Sequence, residues 1–273
     1  MGKPKVKAPS YELLSFVSSV LEKYSLHSIC EKSACPNRAE CFSRNTATFM
    51  IMGDKCTRDC RFCSVTFAKP DRTDQNEYKN IAKAVKELNL KYVVITSVDR
   101  DDLKDLGVSS FVKSVCEIKK RDRNIKIELL TPDFKAREEL LDIIISSKPY
   151  KLAHNIETVK RVSKKVMPQC NYEKSLKVLR YYAKSGILTK SSLMVGLGEK
   201  REEIFETLDD LLKAGVRQIT IGQYLSPSSN HCPVCKYYTE DEFAKLKEKA
   251  LKMGFEAVQS GVLVRSSYYA DKL

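Results

Sequence analysis

Strand-like and helix-like runs alternate along most of this 273-residue chain, and the alternation limits the folds that it can adopt. The predicted strands are short apolar runs at residues 46–52, 92–97, 125–130, 151–155, 188–195 and 218–221. The predicted helices are amphipathic runs at residues 78–90, 108–121, 134–146, 172–185 and 201–214. Because strands that alternate with helices pair in parallel through right-handed crossovers, we predict an α/β fold, either doubly wound or barrel-like.

The composition favours one domain with extensions and an acidic partner. With 42% hydrophobic residues, the chain can bury a full core. The formal charge of +13 suits nucleic acid, a membrane surface or an acidic protein. No RNA-binding module is visible, tryptophan is absent, and no apolar run approaches the roughly twenty residues of a membrane span. We therefore expect an acidic protein partner and no binding to nucleic acid or membrane. Residues 1–7 lack the apolar core of a signal peptide, so we expect a cytoplasmic protein.

A group of three cysteines follows the first predicted strand. Cys56, Cys60 and Cys63 stand in the segment C-T-R-D-C-R-F-C. A four-iron cluster held by protein alone takes four thiolates, so three would leave one iron open to a ligand that is not protein. Zinc sites favour paired C-x₂-C units or mixed sets of cysteine and histidine, which this spacing fits poorly. The spacing therefore favours an iron–sulfur cluster, with zinc or unliganded thiols as the alternatives.

A second group of three cysteines lies upstream, in C-E-K-S-A-C-P-N-R-A-E-C. The spacers between Cys30, Cys35 and Cys41 are short and polar, and consecutive cysteines share no helical face. We therefore predict a wrapped loop that carries a second metal site.

The other cysteines have less definite roles. Cys116 and Cys170 stand in helix-like stretches, so we predict that they are buried small hydrophobes. Cys232 and Cys235 form C-P-V-C, which can bind a metal or form a labile disulfide, although two thiols without a role are the simpler interpretation.

Polar residues follow the predicted strands at several points. In a parallel β/α array, the carboxyl ends of the strands converge where ligands bind, so these residues predict a site. For residues 196–199 a tight turn is the alternative, and for His154 a structural hydrogen bond. The polar strand ends are residues 96–97 with 99–102, 131–133, 154–155 with 157, 196–199 and 223–224.

The C-x₃-C-x₂-C loop resembles that of the radical S-adenosylmethionine (radical SAM) superfamily, and nearly the whole chain is similar to the lipoyl synthase family. The triad is shared across the superfamily, whereas the upstream C-x₄-C-x₅-C together with a C-terminal R-S-S-Y is specific to lipoyl synthases. Besides the cysteine segments, the similarity lies in T-A-T-F-M-I-M-G-D-K, T-S-V-D-R-D-D-L, L-T-P-D-F, H-N-I-E-T-V, L-M-V-G-L-G-E, T-I-G-Q-Y-L and V-R-S-S-Y-Y-A-D.

The resemblance implies a partial (β/α)₆ barrel at residues 46–230 and two [4Fe–4S] clusters. An N-terminal extension at residues 1–45 would carry the auxiliary cluster loop, and a C-terminal extension at residues 231–273 would close on it. The first cluster would bind S-adenosylmethionine and cleave it to methionine and a 5′-deoxyadenosyl radical. Its implied ligands are Cys56, Cys60 and Cys63. The second cluster would donate sulfur, and its implied ligands are Cys30, Cys35, Cys41 and Ser267.

The implied activity is the insertion of two sulfur atoms, at the sixth and eighth carbons of a protein-bound octanoyl chain. The substrate would be an octanoylated lipoyl carrier domain or H protein. A reduced donor such as ferredoxin or flavodoxin would supply electrons, an iron–sulfur carrier would supply clusters, and the enzyme would be a monomer. Cys56, Cys60, Cys63 and Ser267 would serve catalysis. The positions expected to bind S-adenosylmethionine are Thr96, His154, Asn155, Glu157, Gly196, Gly198 and Glu199.

Two rival functions belong to different classes of protein. One is another radical SAM enzyme, such as a biotin-synthase-like sulfur inserter or an RNA methylthiolase, and the R-S-S-Y segment argues against it. The other is an electron-transfer protein with two clusters. The length of the chain disfavours that rival, because a ferredoxin needs no six-strand barrel.

Overall fold

The computed structural model describes residues 11–33 and 35–273, which fall into two compact units. The described N-terminal unit runs through residues 11–58 and 65–151, and the C-terminal unit through residues 59–64 and 152–273. The start of the predicted N-terminal extension, including residues 1–7, lies outside the described residues. The predicted division of the chain at residues 45 and 230 stays a prediction.

The N-terminal unit combines a mostly parallel sheet with flanking helices. Strand β1 is antiparallel to β2, whereas β2, β5 and β6 run parallel, and β3 and β4 form a small separate pair. Its elements are α1 (Tyr11–Lys23), β1 (His27–Ser28), α2 (Ile29–Lys32), α3 (Arg38–Ser43), β2 (Thr46–Ile51), β3 (Lys55–Cys56), β4 (Thr66–Phe67), α4 (Glu77–Glu87), β5 (Tyr92–Ser97), α5 (Val108–Arg121), β6 (Lys126–Leu130), a 3₁₀ turn (Phe134–Ala136) and α6 (Glu138–Ser146).

The C-terminal unit repeats the alternation of strand and helix. Strands β8, β9 and β10 pair in parallel, and the amide of His154, just after β7, donates to the Lys190 carbonyl in β8. The elements that follow α6 are β7 (Lys151–Ala153), which starts at the boundary of the unit, α7 (Lys160–Val166), α8 (Tyr172–Lys184), β8 (Leu188–Val195), α9 (Arg201–Lys213), β9 (Gln218–Gln223), α10 (Glu240–Met253) and β10 (Ala257–Gly261).

The cores follow from the apolar faces of these elements. In β8 and β9, the side chains of Leu193, Val195, Ile219 and Ile221 pack with the buried faces of the helices. The residues of opposite parity are mixed: Lys190, Ser192 and Thr220 are polar, whereas Leu188 and Met194 are apolar. One face of these strands therefore packs mainly with the helices, and the other carries a patch of polar groups.

The predicted strands at 92–97 and 188–195 and the predicted helix at 108–121 are confirmed residue for residue. The predicted strand at 151–155 ends earlier, at Ala153. The helix predicted at 134–146 begins only at Glu138, because Phe134, Lys135 and Ala136 adopt positive φ and form a 3₁₀ turn. None of the helices in the described part of the chain has the length and apolar character needed to cross a membrane.

Candidate active site

The turn after β2 delivers the first cysteine of the C-x₃-C-x₂-C motif. Met52 and Gly53 both have positive φ, 69° and 92°. Both carboxylate oxygens of Glu77, at the start of α4, accept from the Met52 amide at 2.9 and 3.0 Å. Burial raises the pKa of Glu77 to about 7. A carboxylate that accepts backbone N–H groups fixes this unusual turn in place.

Cys56 is buried in the short strand β3, with 8% of its surface exposed. The Asp99 amide, just after β5, donates to its sulfur at 3.3 Å. Both the amide and the hydroxyl of Thr57 donate to the Asp99 carbonyl, at 3.1 and 3.0 Å. An N–H group aimed at a thiolate sulfur stabilises the charged form and is one way that proteins tune iron–sulfur clusters.

Arg58 lies inside the cysteine motif and ties it to two strand ends of the N-terminal unit. It is 6% exposed and makes a bidentate pair with Asp101, at 2.7 and 3.0 Å. Its Nη2 also donates to Asp133 at 2.8 Å, and its Nε lies 3.4 Å from Asp99. The sequence identified the acidic strand ends but not the cation that joins them. The sequence signal that could have identified it is an arginine between the first two cysteines of the motif, combined with the acidic residues that follow neighbouring strands.

Cys60 and Cys63 belong to the C-terminal unit and are half-buried. The Cys63 amide donates to the Cys60 carbonyl at 2.9 Å. The Cys63 carbonyl accepts from His231 Nε2 at 3.0 Å, and His231 Nδ1 lies 2.8 Å from the Ser228 hydroxyl. Between the cysteines, the Arg61 carbonyl accepts from the Cys232 amide at 2.9 Å. The segment at residues 231–232 therefore supports the second half of the motif.

The chain leaves the N-terminal unit after Arg58 and returns to it at Val65, so the motif is shared by both units. Across residues 11–33 and 35–273, no three or more histidine, cysteine, aspartate or glutamate side chains are gathered around a position for one metal ion. The thiolates of a cubane bind different irons and therefore need not surround a single point. The donor set consists of soft thiols alone, which suits an iron–sulfur cluster better than a hard cation.

The segment after β7 contains a buried polar atom without a partner. The Asn155 side-chain nitrogen donates to Glu157 at 3.0 Å, while Asn155 Oδ1 is buried and accepts no hydrogen bond from the described residues. Burial raises the pKa of Glu157 to about 7. An unused buried acceptor beside a carboxyl group fits a site that awaits a donor from a ligand. His154, in contrast, places its Nε2 2.9 Å from the Ser175 hydroxyl, as the structural alternative expects.

In the turn after β8, the side chain of Glu199 hydrogen-bonds to groups of the protein itself. Gly196 and Gly198 have φ of 107° and 100°, which side chains rarely adopt. Glu199 accepts from the Gly196 and Leu197 amides at 2.6 and 2.8 Å. The Tyr238 hydroxyl donates to the same carboxylate at 2.9 Å. The tight-turn interpretation therefore accounts for the Glu199 oxygens, and a contact of this turn with S-adenosylmethionine stays a prediction.

Thr96 lies at the carboxyl end of β5, paired in register with Met50 of β2, and is half-buried. The neighbouring Ser97 hydroxyl is buried without a hydrogen-bond partner in the described residues. The structure therefore leaves polar capacity at this strand end, and the role predicted for Thr96 stays a prediction.

A wrapped loop was predicted for the upstream cysteines; in the N-terminal unit Cys30 and Cys41 lie on two short helices, and Cys35 lies in the irregular segment between them. Cys30 is in α2, whose N-cap Ser28 accepts from the Cys30 amide at 3.2 Å, and Cys41 is in α3. The Cys35 amide donates to the Cys30 carbonyl at 2.9 Å. Burial, and then the neighbouring Cys35, raises the pKa of Cys30 to about 11. Such a thiol stays protonated at neutral pH, and a metal that bound there would have to displace the proton.

Ser267 lies in the C-terminal unit, in the segment that follows β10. Its carbonyl accepts from the Ala270 amide at 3.3 Å, and the rings of Tyr268 and Tyr269 meet edge to face at 4.5 Å. Arg265 Nη1 donates to the Val264 carbonyl at 2.7 Å. The predicted ligand role of Ser267 stays a prediction.

Two predictions about the other cysteines were wrong. Cys116 is exposed rather than buried, because it occupies the outer face of α5. Cys170 is half-buried and follows the turn after α7 rather than lying in a helix. Cys232 is half-buried and Cys235 exposed, and both are free thiols.

Comparison with known proteins identifies the class. A family model described as the Radical SAM superfamily matches residues 50–211. Among solved structures, Streptococcus suis SuiB bound to its precursor peptide aligns over 96% of this chain and 57% of its own, at a TM-score of 0.63 and 12% identity. Methylornithine synthase (PylB) aligns over 92% of this chain and 83% of its own, at a TM-score of 0.57 and 14% identity. These likenesses show the fold, an α/β architecture with mostly parallel strands that agrees with the expected partial barrel.

Curated relatives narrow the class further. The lipoyl synthase of Parabacteroides distasonis is 45% identical over 98% of this chain and 95% of its own length. The lipoyl synthase of Treponema denticola is 47% identical over 98% of this chain and 92% of its own. The chain belongs to the lipoyl synthase family of radical SAM enzymes. It is therefore a sulfur-inserting enzyme that uses a [4Fe–4S] cluster, S-adenosylmethionine and a lipoyl-carrier substrate.

Proposed function

We propose that this enzyme inserts sulfur at the sixth and eighth carbons of an octanoyl chain that is amide-linked to a lysine of its carrier. The observation that supports this function best is the presence of two separate all-cysteine groups. One has the buried, N–H-contacted Cys56, and the other has Cys30, whose thiol pKa burial raises. A methylene hydrogen has no useful acidity, so no histidine or carboxylate of tuned pKa could remove it. When bound, the cofactors supply the radical chemistry and the sulfur atoms.

Cys56, Cys60 and Cys63 would hold the first cluster and leave one iron open to S-adenosylmethionine. The chain contributes a rigid support for them. Glu77 fixes the turn before Cys56, and Arg58 fixes the loop after it, through contacts that are both largely excluded from water. Preorganised ligands of this kind keep a metal centre in one geometry through the reaction.

Asn155 is the residue best placed to recognise S-adenosylmethionine. Its buried Oδ1 has an unused acceptor site, and the ammonium and nucleoside groups of the cofactor are donors. Glu157 holds the Asn155 amide nitrogen, which orients that oxygen. The backbone around Gly196 and Gly198 would complete the site, with Thr96, His154 and Glu199 as the remaining predicted positions.

Cys30, Cys35 and Cys41 would hold the second cluster, with Ser267 as the fourth ligand. A hydroxyl is a hard ligand for cluster iron, where soft thiolate is preferred. A weak fourth ligand suits a centre that must give up sulfur. The three thiols of this segment support the assignment, because they are soft donors that suit cluster iron.

The proposed reaction also implies specific protein partners. An octanoylated lipoyl domain or H protein would be the carrier, a reduced ferredoxin or flavodoxin the electron donor, and an iron–sulfur carrier would rebuild the second cluster. The formal charge of +13 would steer an acidic carrier toward the enzyme. A monomer in the cytoplasm is the expected state, and both points stay predictions.

Three alanine variants separate the two cysteine groups, measured on anaerobically reconstituted protein with an octanoyl-lysyl peptide. Cys60→Ala should abolish the formation of 5′-deoxyadenosine. Cys35→Ala should retain it while abolishing the lipoyl product. Cys116→Ala removes an exposed thiol of α5 and serves as the matched control, with both products unchanged.

The outcomes discriminate between the possible functions. Lipoyl product from Cys35→Ala at the wild-type rate would contradict the role of the upstream group. An absence of 5′-deoxyadenosine from reduced wild-type protein would favour an electron carrier instead. Sulfur found by mass spectrometry in RNA, and none in the peptide, would favour a methylthiolase.

A further inference from the structure

Lys190 is a fully buried lysine that the predicted site did not include. It lies in β8 with no exposed surface, and its Nζ donates to the Ser266 carbonyl at 2.8 Å. Lysine is seldom buried without a specific function for its charge. The acceptor is distant in sequence, 76 residues further along the chain, and directly precedes Ser267.

Lys190 belongs to the polar face of its strand pair. In β8, Leu193 and Val195 point into the apolar core, so Lys190 and Ser192 are on the opposite face. The Thr220 hydroxyl of β9 donates to the Ser192 hydroxyl at 2.7 Å on that face. The part of this face around Lys190, Ser192 and Thr220 is therefore polar.

The C-terminal segment after β10 contacts this face. A Cβ at Gly222, the next residue of this face in β9, would overlap the Val264 carbonyl oxygen. Arg265 Nη1 reaches the carbonyl of Gln223 at 3.4 Å. Together with the Lys190 bond to Ser266, these contacts fix three consecutive residues of the segment against β8 and β9.

Holding the Ser266 carbonyl determines where the following residue lies. The peptide unit is planar, so its carbonyl oxygen and the Cα of the next residue move as one body. A hydrogen bond from a charged donor is also stronger than one between neutral groups. Lys190 thus acts on Ser267 through a single rigid unit.

We propose that Lys190 is a positioning residue that presents the Ser267 hydroxyl to the second cluster. This inference rests on the proposed function, in which Ser267 is a ligand of that cluster. In this role Lys190 couples radical formation to sulfur insertion, and it contacts neither substrate.

Lys190→Met is the direct test, because methionine keeps most of the length of the side chain and removes the donor. In anaerobic holoenzyme, amide hydrogen exchange across residues 264–273 should rise roughly tenfold or more, as expected for loss of a charged hydrogen bond. The ratio of 5′-deoxyadenosine to lipoyl product should rise by a similar factor, while cleavage of S-adenosylmethionine continues.

Lys151→Met is the matched control, since Lys151 is also fully buried but lies 3.8 Å from Glu128 in the N-terminal unit. It should leave both the exchange of residues 264–273 and the product ratio unchanged. Gly222→Ala displaces the same segment without touching Lys190, and should raise both quantities. It decides the question if Lys190→Met fails to fold.

The inference is overturned if the Lys190 variant, or Gly222→Ala in its place, keeps the wild-type product ratio. It is also overturned if 5′-deoxyadenosine and lipoyl product fall in parallel, or if Lys151→Met uncouples them equally. Wild-type protein that cleaves S-adenosylmethionine without forming lipoyl product would instead contradict the proposed function itself.

Discussion

The buried carboxyl of Glu77 should make the stability of this protein depend on pH in an unusual direction. Glu77 is 9% exposed and holds the Met52 amide at the turn before Cys56. Burial raises its pKa from 4.5 to about 7, against the lowering effect of the Met52 and Gly53 amides. At about 1.4 kcal/mol for each pH unit, this difference corresponds to about 3 kcal/mol.

The sign follows from proton binding. Between pH 4.5 and 7 the folded protein holds the Glu77 proton and the unfolded chain has lost it, so the folded state binds more protons. The contribution of Glu77 to the free energy of unfolding is therefore complete below about pH 4.5 and is lost as pH rises through 7. Ordinary paired carboxylates behave in the opposite way.

Glu77→Gln removes this titration and keeps one oxygen acceptor for the Met52 amide. The fixed cost of the lost second acceptor is about 1 kcal/mol. We expect the wild type to be more stable than the variant by about 1 kcal/mol near pH 4.5, and less stable by about 2 kcal/mol near pH 8. Urea titrations of both proteins, anaerobic and cluster-loaded, measure the difference, and contributions common to both cancel.

Glu87→Gln is the control of opposite sign. The hydrogen bond from Lys23 lowers the pKa of Glu87, so that group stabilises the folded state more as pH rises. A difference between wild type and Glu77→Gln that is flat, or that grows in favour of the wild type from pH 4.5 to 8, would refute the argument from burial.

Three further substitutions have defined outcomes. Arg58→Met removes the cation that pairs with the buried Asp133 and the half-buried Asp101 and should lower the unfolding free energy by about 3–5 kcal/mol in urea titrations, whereas Arg123→Met, on the surface, should change little. Tyr238→Phe removes the hydroxyl that donates to Glu199 and should cost about 2 kcal/mol by the same assay; no loss would mean that water replaces it. Asn155→Ala should weaken S-adenosylmethionine binding roughly tenfold in equilibrium dialysis, with iron content unchanged, and unaltered affinity would return this residue to a structural role.

The strands that the sequence located best are those buried on both faces. The run Y-V-V-I-T-S at 92–97 and the run at 188–195 are continuous and bounded by turn residues, so pattern alone defined their ends. The strand at 151–155 was drawn too long: β7 ends at Ala153, His154 Nε2 lies beside the Ser175 hydroxyl, and the Asn155 side chain donates to Glu157. Local pattern does not distinguish the last residue of a strand from the first residue of the loop that follows it.

Other elements were missed for two different reasons. Helix α10 had a visible start, since Thr239 and Glu242 form a capping box, and this signal was overlooked. Strand β1 has only His27 and Ser28, and no local pattern can indicate a strand that exists through its pairing with β2. Short edge strands are set by their partners rather than by their own residues.

The residues of the candidate site also differ in how easily the sequence identifies them. Cysteine spacing located both cysteine groups, because the ligands of each group lie close together in the sequence. The roles of Glu77, Arg58 and Lys190 depend on partners 25, 43 and 76 residues away. Only the folded chain brings such groups together, so supporting residues are less visible in a sequence than the ligands that they support.

The close contact at Gly222 can form only late in synthesis of the chain. The strand face at Gly222 is complete once β8 and β9 have formed, but the arginine that reaches Gln223 is 42 residues further along the chain. At roughly 5–20 residues per second, ribosomal synthesis delays that contact by roughly 2–8 s. During this interval the C-terminal segment cannot yet contact the polar face, and Ser267 cannot reach its position until the segment has been synthesised.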